Sequence, residues 1–440
     1  MNRREFLGQS TIAAAGAVCA SSGLAAVAPN EKVTVAVVGV RGRGNALLTG
    51  FATRPTVDVK YVCDLDENVL GARTEAVEAK TGRKPQAIQD FRRALEDKSV
   101  DAIVLGTPDH WHALPTIMAC QAGKDVYVEK PDGHNILEGR TMVAAAKKYG
   151  RVVQLGTQSR SGQHFHGALE YIREGHLGRP LFAKAWESGM QRSLGHPANT
   201  DPPAGIDYDF WLGPAPKMPF NPARFHGNWR WFFELGCGDL GNDGVHRLDV
   251  ARWAFGVALE TAEQPALPLY PNSISALGAK IYFDDIQEWP DNLMVTYDFG
   301  GRLLTYEMRI WSPYPMEGET EGAAVYGDQG YIVIGNTRWK AYGQRGKLLK
   351  EQSGSYGNDV PHIENFLECM RTRAKPAADL ETVGHPSSML CHLGNAAWRA
   401  GRTVKFDPET YTFVDDAQAN QYLTRREYRA PWLLPKIEDL

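Results

Sequence analysis

The sequence predicts an α/β protein in which a doubly wound parallel sheet is followed by a second, antiparallel sheet. Short β-branched runs alternate with helical periods from Val33 to about residue 157, which is typical of a parallel sheet covered by helices on both faces. Beyond this segment apolar residues alternate with period two between tight turns, which indicates antiparallel strands with one buried face. The chain therefore divides into a short leader at 1–28, a first domain at 31–157 and a second domain at 158–440.

The first domain is predicted to contain six strands, with a helix after each of the first five. The strands are "VTVAVVG", "VDVKYVCD", "AIQD", "VDAIVLGTP", "DVYVEKP" and "RVVQLGT". The helices between them are "NALLTGFAT", "ENVLGARTEAVEAKTG", "FRRALED", "ALPTIMACQAG" and "ILEGRTMVAAAKKYG". Ligands of such sheets bind beyond the carboxyl ends of the strands, so side chains that directly follow a strand are the candidate site residues.

The second domain begins with a helix through "GALEYIREGH" and continues in strands such as "PLFAKAWES", "NLMVTYDF", "RLLTYEMRI" and "AAVYGDQGYIVIG". A Pro-rich aromatic segment, "HPANTDPPAGIDYDFWLGPAPKMPFNPARF", is long enough to cover a site. Two helices, "DVPHIENFLECMRTR" and "SSMLCHLGNAAWRAGR", precede a tail ending "APWLLPKIEDL". We expect this tail to pack on the second domain or on a partner subunit.

The first 28 residues have the pattern of an export leader. Arg3 and Arg4 precede an uncharged apolar run, and the arginine pair followed by Phe6 and Leu7 is similar to the twin-arginine type, which exports folded proteins. Small residues at 26–28 favour cleavage there. A membrane anchor is the alternative, but the run is rich in Ala, Gly and Ser. We therefore expect a periplasmic protein without stable membrane insertion.

The composition excludes several classes of partner. Lys and Arg number 48 against 52 Asp and Glu, so the chain has no basic field for nucleic acid and no polybasic membrane patch. The cysteines that follow the leader are widely spaced and lie mostly in apolar stretches, which favours buried thiols over a disulfide framework or a metal cluster. Eleven tryptophans fit a carbohydrate binder as well as a large core.

A glycine-rich turn, "GVRGRG", directly follows the first strand, where a dinucleotide phosphate loop is expected. Gly39, Gly42 and Gly44 would let backbone N–H groups approach phosphates at a helix N-terminus. Arg41 stands where the G-x-G-x-x-G pattern has its second glycine. It fits only with a negative φ and an outward side chain, and it or Arg43 could contact a phosphate.

Asp64 ends the second predicted strand about 25 residues after the first glycine of this turn, where a carboxylate accepts the ribose hydroxyls. The same charge repels a 2′-phosphate, which favours NAD over NADP. NADP stays possible through the arginines of the turn. The alternative is that Asp64 caps the following helix.

Four motifs together resemble the Gfo/Idh/MocA oxidoreductase family: "GTPDHWH", "GKDVYVEKP", "VVQLGTQSR" and "GDLGNDGVHRLDVARW". The resemblance extends from about Val33 to the end of the chain. It implies a Rossmann domain followed by an α/β domain whose large, open, mostly antiparallel sheet often mediates oligomerisation. It also implies a sugar, glycoside or cyclitol as the small-molecule substrate, and a homo-oligomer formed through the C-terminal sheet.

Oxidation of an alcohol carbon requires a hydride acceptor, a base for the hydroxyl proton and a positive group beside the alkoxide. Lys130 follows the fifth strand, so we expect it at the ligand edge, and the bond to Pro131 could be cis. The resemblance places this lysine at the substrate hydroxyl near the nicotinamide. The alternative is a surface lysine paired with Glu129.

His246 lies one turn after Asn242, in a helix predicted to begin near Asn242 or Asp243. Family members place an aspartate four residues before this histidine, which completes a Lys–Asp–His set. An amide cannot accept a proton, so either His246 acts with Lys130 or Asp243 reaches the site through a shifted helix start. Restoring the carboxylate by Asn242→Asp is expected to be tolerated.

Two sets of residues make up the rest of the predicted site, some of them placed there by the resemblance. The predicted cofactor set is Gly39, Arg41, Gly42, Arg43, Gly44, Asp64, Thr107, Pro108, Asp109, His112, Glu129 and Lys130. The predicted substrate set is His110, Trp111, His134, Gln158, Arg160, Trp229, Arg230 and His246. The "DHWH" run could also be read as metal ligands, but no carboxylate–histidine helix motif accompanies it, and we expect no metal.

We expect an NAD(P)-dependent oxidoreductase that binds its cofactor tightly. Free NAD is scarce outside the cytoplasm, so a bound nucleotide would have to be recycled in place. One alternative is a redox-assisted glycosidase of the same family, in which transient ketone formation permits elimination of the glycosidic substituent. A second alternative is a non-catalytic sugar or nucleotide sensor, which needs neither Lys130 nor His246.

Overall fold

The computed structural model describes residues 32–355, 357 and 359–440, so the predicted leader at 1–28 lies outside the described residues. The first sheet consists of β1 (Val33–Val38), β2 (Val57–Cys63), β3 (Gln86–Ile88), β4 (Ala102–Leu105), β5 (Asp125–Val128) and β6 (Val153–Leu155). Its helices are α1 (Gly42–Ala52), α2 (Glu67–Thr81), α3 (Arg92–Glu96), α4 (Ala113–Gln121) and α5 (Ile136–Lys148). All neighbouring strands are parallel, in the order β3-β2-β1-β4-β5-β6, which confirms the predicted doubly wound Rossmann sheet.

The start of α1 lies unusually close to the sheet, and two glycines of the turn after β1 permit this. Gly39 has φ +76°, and a Cβ atom on it would lie 2.9 Å from the backbone of Gly106. A Cβ atom on Gly44 would lie 1.6 Å from the carbonyl oxygen of Gly39. The N-terminus of α1 can therefore face the carboxyl edge of β1 and β4 only with glycine at both positions.

The second sheet has ten strands. In chain order they are β7 (Pro180–Ser188), β8 (Ser273–Ala279), β9 (Asn292–Asp298), β10 (Leu303–Arg309), β11 (Glu321–Gly327), β12 (Gly330–Gly335), β13 (Arg338–Gly343), β14 (Leu348–Ser353), β15 (Val404–Asp407) and β16 (Thr412–Phe413). The helices are α6 (Gln163–Arg173), α7 (Tyr208–Leu212), α8 (Val245–Thr261), α9 (Val360–Thr372), α10 (His385–Ala400) and α11 (Ala417–Asn420).

The strand order of this sheet is β14-β13-β12-β11-β7-β10-β9-β8-β15-β16. Only β7 and β10 run parallel to each other, so the predicted large, open, mostly antiparallel sheet is confirmed. Helices α6, α8 and α10 cover one face with a continuous apolar core. The opposite face leaves Leu277, Met294 and Leu303 exposed at alternating strand positions.

Segments from the C-terminal part of the chain complete the core of the first sheet. Ile363 and Phe366 of α9 belong to the same buried cluster as β1 and α1. The tail contacts both domains: Trp432 packs against Phe210 of the second domain at 4.8 Å and against Trp111 of the first at 4.9 Å between ring centroids. The tail therefore does pack on the second domain, through Trp432 and through Arg429, which binds Asp209, and its contact with the first domain was not predicted.

Two features differ from the predicted elements. Strands β8 and β13–β16 were not predicted, and the edge strand β14 is exposed throughout, so it has no buried face that would mark it in the sequence. The helix expected to begin near Asn242 starts earlier: a π-helical turn at Leu240–Gly244 runs directly into α8. No helix among the described residues is long and apolar enough to cross a membrane.

Candidate active site

A deep cleft follows the carboxyl edge of the first sheet, where the second domain closes over it. Its cavity volume is about 230 Å³. Nine residues of the predicted cofactor set line it: Gly39, Arg41, Gly42, Arg43, Asp64, Thr107, Pro108, Glu129 and Lys130. The other three, Gly44, Asp109 and His112, are not among the lining residues. We refer to this space as the nucleotide cleft.

The turn after β1 is held by the carboxylates that follow β2. Asp64 accepts hydrogen bonds from the backbone N–H of Val40 at 2.9 Å and of Asp66 at 3.0 Å. Asp66, and not Asp64, caps α2, since its side chain accepts the N–H of Asn68. Arg41 has the required φ of −93° and directs its guanidinium to Asp66. Asp64 is thus free of the capping role and faces the cleft, where burial raises its pKa.

A strap formed by residues 204–228 of the second domain covers the nucleotide cleft. Its Gly205 carbonyl accepts the N–H of Glu67 at 2.9 Å, and His226 Nε2 lies 3.2 Å from the Asp66 carboxylate. The strap residues that line the cleft are Ile206, Phe210, Trp211, Phe225, His226 and Gly227. The Pro-rich segment predicted as a possible cover therefore does enclose a site.

Lys130 lies two residues after the end of β5, and its side chain reaches across to the second domain. Its Nζ donates to both the backbone oxygen of Asn242 at 2.7 Å and the Oδ1 of the same residue at 2.9 Å. An ammonium carries three N–H donors, so one remains for a ligand. The alternative pairing with Glu129 is not found, because Glu129 binds Arg43 at 2.7 Å. The Lys130–Pro131 bond is cis.

The side-chain amide of Asn242 has a fixed orientation. Its Nδ2 donates to Asp243 at 3.0 Å and to Asp239 at 3.4 Å, while its Oδ1 faces Lys130. Carboxylates only accept and an ammonium only donates, so no other orientation satisfies all partners. This changes the expectation for Asn242→Asp, because the new carboxylate would face two others at hydrogen-bond distance.

A second cavity adjoins the nucleotide cleft at Lys130. Its lining residues are Arg43, Glu129, Lys130, Gln158, Ser159, Gly162, Phe165, Arg230, Asn242, Asp243, His246, Ser355, Gly357 and Asp359. Five of these also line the nucleotide cleft, so the two spaces meet at the end of β5. We refer to this second space as the substrate pocket.

His246 lines the substrate pocket from the first turn of α8 and is buried. Its Nδ1 has no hydrogen-bond partner among the described residues. Burial and the charge of Lys130 hold the pKa of its ring well below 6.5. The structure therefore brings Lys130, Asn242, Asp243 and His246 together, with a neutral imidazole beside an ammonium.

Three residues of the predicted substrate set line neither space. Both ring nitrogens of His110 lie at backbone carbonyls, and burial lowers its pKa to about 3. His134 Nε2 lies 2.7 Å from the Phe233 carbonyl, and Arg160 forms a buried ion pair with Asp249 at 2.7 Å. Trp111 and Trp229 line the nucleotide cleft instead of the substrate pocket. Gln158, Arg230 and His246 line the substrate pocket.

The side chains of Asp109 and His112 in the "DHWH" run form hydrogen bonds with the backbone. Asp109 accepts the N–H of Cys237, and His112 has its ring nitrogens at the carbonyls of Pro131 and Thr107 at 2.6 and 2.8 Å. Backbone groups thus engage these side chains.

Sequence reasoning missed the acidic groups around the pocket. Asp359 binds Arg43 at 2.6 Å from a distant part of the chain. Glu187 of β7 and Asp239 lie close to Asp243 beneath Asn242. Asp239 does lie in the motif "GDLGNDGVHRLDVARW", but it was not considered as a site residue. Glu187 and Asp359 belong to none of the motifs, and the buried position of Glu187 in β7 is the signal that the sequence carried for it.

Two family models match the chain. Residues 33–157 match the oxidoreductase family with an NAD-binding Rossmann fold, GFO_IDH_MocA. Residues 186–303 and 319–434 match the C-terminal α/β domain of the same oxidoreductase family. Together the two matches cover most of the described chain.

Individual proteins are similar over different lengths. The scyllo-inositol 2-dehydrogenase (NAD(+)) of Bacillus subtilis (strain 168) is 25% identical over 79% of this chain and 89% of its own. A glycosyl hydrolase family 109 protein of Stenotrophomonas maltophilia (strain K279a) is 31% identical, but over only 44% of this chain and 43% of its own length. The crystal structure of aldose-aldose oxidoreductase from Caulobacter crescentus has a TM-score of 0.64 at 19% identity, over 85% of this chain and 100% of that one, which shows a common fold.

Asp64→Ala is expected to weaken NAD binding more than NADP binding, because it removes a hydroxyl acceptor and a charge that repels the 2′-phosphate. Purified protein would be incubated with an equal mixture of NAD and NADP until the bound nucleotide has exchanged. The protein would then be denatured, and the ratio of released NAD to released NADP measured. We expect the ratio of NAD to NADP to fall about tenfold, or about 1.4 kcal/mol.

Asp58→Asn is the matched control, since Asp58 lies on the same strand but pairs with Arg83. An equal loss of both nucleotides in Asp64→Ala would mean that Asp64 serves only to hold the turn at Val40.

Proposed function

The chain belongs to the Gfo/Idh/MocA oxidoreductase family with an NAD-binding Rossmann fold, and we propose that it transfers a hydride between a retained NAD and a carbinol or ketone carbon of a sugar, glycoside or cyclitol. One observation carries this proposal: Lys130 Nζ stands where the nucleotide cleft and the substrate pocket meet. The similarity to an inositol dehydrogenase over most of both chains supports a cyclitol or sugar as the substrate.

Lys130 is suited to hold the reacting oxygen. NAD⁺, when bound, accepts the hydride from the carbinol carbon. Two N–H groups of Lys130 are held by Asn242, so the third can donate to the substrate oxygen. The positive charge stabilises the alkoxide character that develops as the C–H electron pair leaves.

His246 is suited to take the hydroxyl proton. Its lowered pKa keeps the ring neutral at neutral pH, and its Nδ1 has no other partner among the described residues. A neutral imidazole can accept the proton of the O–H group while the hydride leaves the same carbon, which balances the oxidation. Asn242 takes no part in the proton transfer, since its amide is held by Lys130 and by two carboxylates.

The substrate pocket has the chemistry of a polyol site. Gln158, Asp243 and Arg230 offer donors and acceptors for several hydroxyl groups, and Phe165 offers one apolar surface. A flat arrangement of hydroxyls with an apolar face is common to sugars and cyclitols. These lining groups support the substrate class without selecting one stereoisomer.

The strap supports retention of the nucleotide through many turnovers. Residues 204–228 close the cleft and hydrogen-bond to the start of α2, so release of a bound dinucleotide requires these contacts to open. We propose that NAD is the resident nucleotide, with NADP disfavoured because Asp64 and Asp66 follow β2 and Arg41 is paired with Asp66.

A redox-assisted glycosidase is the second candidate, on the strength of the 31% identity to a glycosyl hydrolase family 109 protein. That match covers less than half of either chain, and the second candidate uses the same hydride transfer. A new reducing end released from an aryl glycoside would distinguish it from a simple oxidoreductase.

We propose that the mature protein forms a homo-oligomer through the open face of the second sheet. Leu277, Met294 and Leu303 on this face are 79%, 57% and 39% exposed. A row of exposed apolar side chains on a broad sheet supports burial against a second copy.

Lys130→Met is expected to retain the fold and the nucleotide but to slow hydride transfer about a hundredfold or more, a loss typical of a general acid–base group. His246→Gln is expected to act similarly. Single-turnover reduction of the bound nucleotide by sugars, glycosides and cyclitols measures the step directly.

Lys147→Met is the control, because Lys147 is an exposed lysine of α5. Full activity in both Lys130→Met and His246→Gln would overturn the mechanism. Nucleotide released by denaturation from each variant separates a loss of chemistry from a loss of cofactor.

Replacing Arg3 and Arg4 with lysines is expected to leave the precursor in the cytoplasm, because the arginine pair is what the export of folded proteins requires. Cell fractionation measures how much mature protein reaches the periplasm. A variant with Lys32→Arg, which leaves the arginine pair unchanged, is the control. Continued export of the Arg3 and Arg4 variant would contradict the proposed twin-arginine route.

A further inference from the structure

Three carboxylates form a compact group beneath the substrate pocket. Glu187 of β7 and Asp239 are buried, and Asp243 is half-buried. One carboxylate oxygen from each residue lies within 4.8 Å of the other two. We refer to these three residues as the acid cluster.

The acid cluster brings like charges together in a largely buried place. Glu187 and Asp239 are 7% and 2% exposed. The nearby Arg247 forms an ion pair with a fourth carboxylate, Glu321, at 2.6 Å. Burying several carboxylates together is unfavourable unless cations compensate their charge, and a bound metal ion would contribute to this compensation.

A separate observation points to a missing ligand. The Tyr306 hydroxyl is fully buried and has no hydrogen-bond partner among the described residues. Tyr306 of β10 pairs with Ala185, two residues before Glu187, so both side chains extend from the same face of the sheet. Its pKa is raised by burial and then by the charges of Asp239, Glu187 and Asp243, as expected for a hydroxyl that faces the acid cluster.

Other features keep this space open. A Cβ atom on Gly244 would lie 2.8 Å from the Tyr306 hydroxyl, so glycine leaves room at the start of α8. The Oε2 atom of Glu187 and the Oδ2 atom of Asp239 are buried and also lack partners among the described residues. Three buried oxygens on three elements are therefore unsatisfied around one point, which is rare in folded proteins.

We propose that the acid cluster and Tyr306 bind one Ca²⁺ ion. All candidate ligands are oxygens, which Ca²⁺ and Mg²⁺ prefer and which do not favour Zn²⁺. The acid cluster and Tyr306 form a set of ligands supplied by the protein, with one carboxylate oxygen from each acid within 4.8 Å of the other two. Ca²⁺ accepts such a set in irregular geometry, whereas Mg²⁺ requires near-ideal octahedral geometry and usually keeps several waters.

The ion would affect the reaction only by holding Asn242, and through it Lys130, in position. Asp239 and Asp243 hold the Nδ2 of Asn242, and the Oδ1 of Asn242 holds Lys130. A bound Ca²⁺ fixes both carboxylates in the charged, accepting form that this orientation of the amide requires. The site does not depend on the identity of the substrate or on the direction of hydride transfer.

Metal content and affinity of the mature protein test the proposal without any turnover. Protein purified in the presence of CaCl₂ and then desalted would be analysed for bound metal by elemental mass spectrometry. The same protein would then be stripped with a chelator and titrated with CaCl₂ or MgCl₂ in a calorimeter. We expect one Ca²⁺ per chain, weaker binding of Mg²⁺, and at least a tenfold loss of Ca²⁺ affinity in Glu187→Gln and in Asp239→Asn.

Glu307→Gln is the matched control, since Glu307 lies on the other face of the same sheet and pairs with Lys184 at 3.0 Å. If the buried variants fail to fold, Asp243→Asn replaces them, because Asp243 is partly exposed. No Ca²⁺ bound by the folded wild-type protein at millimolar concentration, equal affinity in the folded acid-cluster variants, or equal affinity for Mg²⁺ would each overturn the proposal. Failure of hydride transfer with normal Ca²⁺ binding would instead count against the proposed function alone.

Discussion

The contact between Lys130 and Asn242 is the constraint on which the site depends. Lys130 follows a strand of the first sheet and Asn242 begins the helical layer of the second, so two hydrogen bonds fix one domain against the other at the place where the cleft and the pocket meet. Hydride transfer requires reacting atoms at about 3–3.5 Å, and a displacement of 1 Å costs about a hundredfold in rate. The contact between Lys130 and Asn242 therefore sets the position of a ligand in the nucleotide cleft relative to a ligand in the substrate pocket.

Much of the fold and half of the site follow from the sequence for a common reason. In a parallel sheet, residues that follow the strands gather at one edge, so the sequence pattern alone places Gly39, Asp64 and Lys130 together. Periodicity likewise placed His246 beside Asn242, although the π-helical turn that precedes α8 was not predicted. These inferences needed only local pattern and the geometry of strand ends.

The rest depends on partners that no local pattern reveals. His110 and His134 are the residue types of a catalytic site, yet backbone carbonyls from remote segments engage their rings. The local sequence shows Glu187 only as a buried position of β7. Its proximity to Asp239 and Asp243 depends on how the second sheet packs against the helical turn before α8. The same is true of Asp359, whose ion pair with Arg43 joins residues more than 300 positions apart. Long-range electrostatics of this kind became visible only with the assembled structure.

The return of α9 to the first sheet has a consequence for how the protein is made. Ile363 and Phe366 complete the apolar layer over β1, and Trp432 closes the layer near Trp111. A ribosome-bound chain that has emerged only as far as β6 lacks these side chains, so its dinucleotide fold has an open hydrophobic flank. The apolar core of the N-terminal half is therefore complete only once α9 and the C-terminal tail have been synthesised.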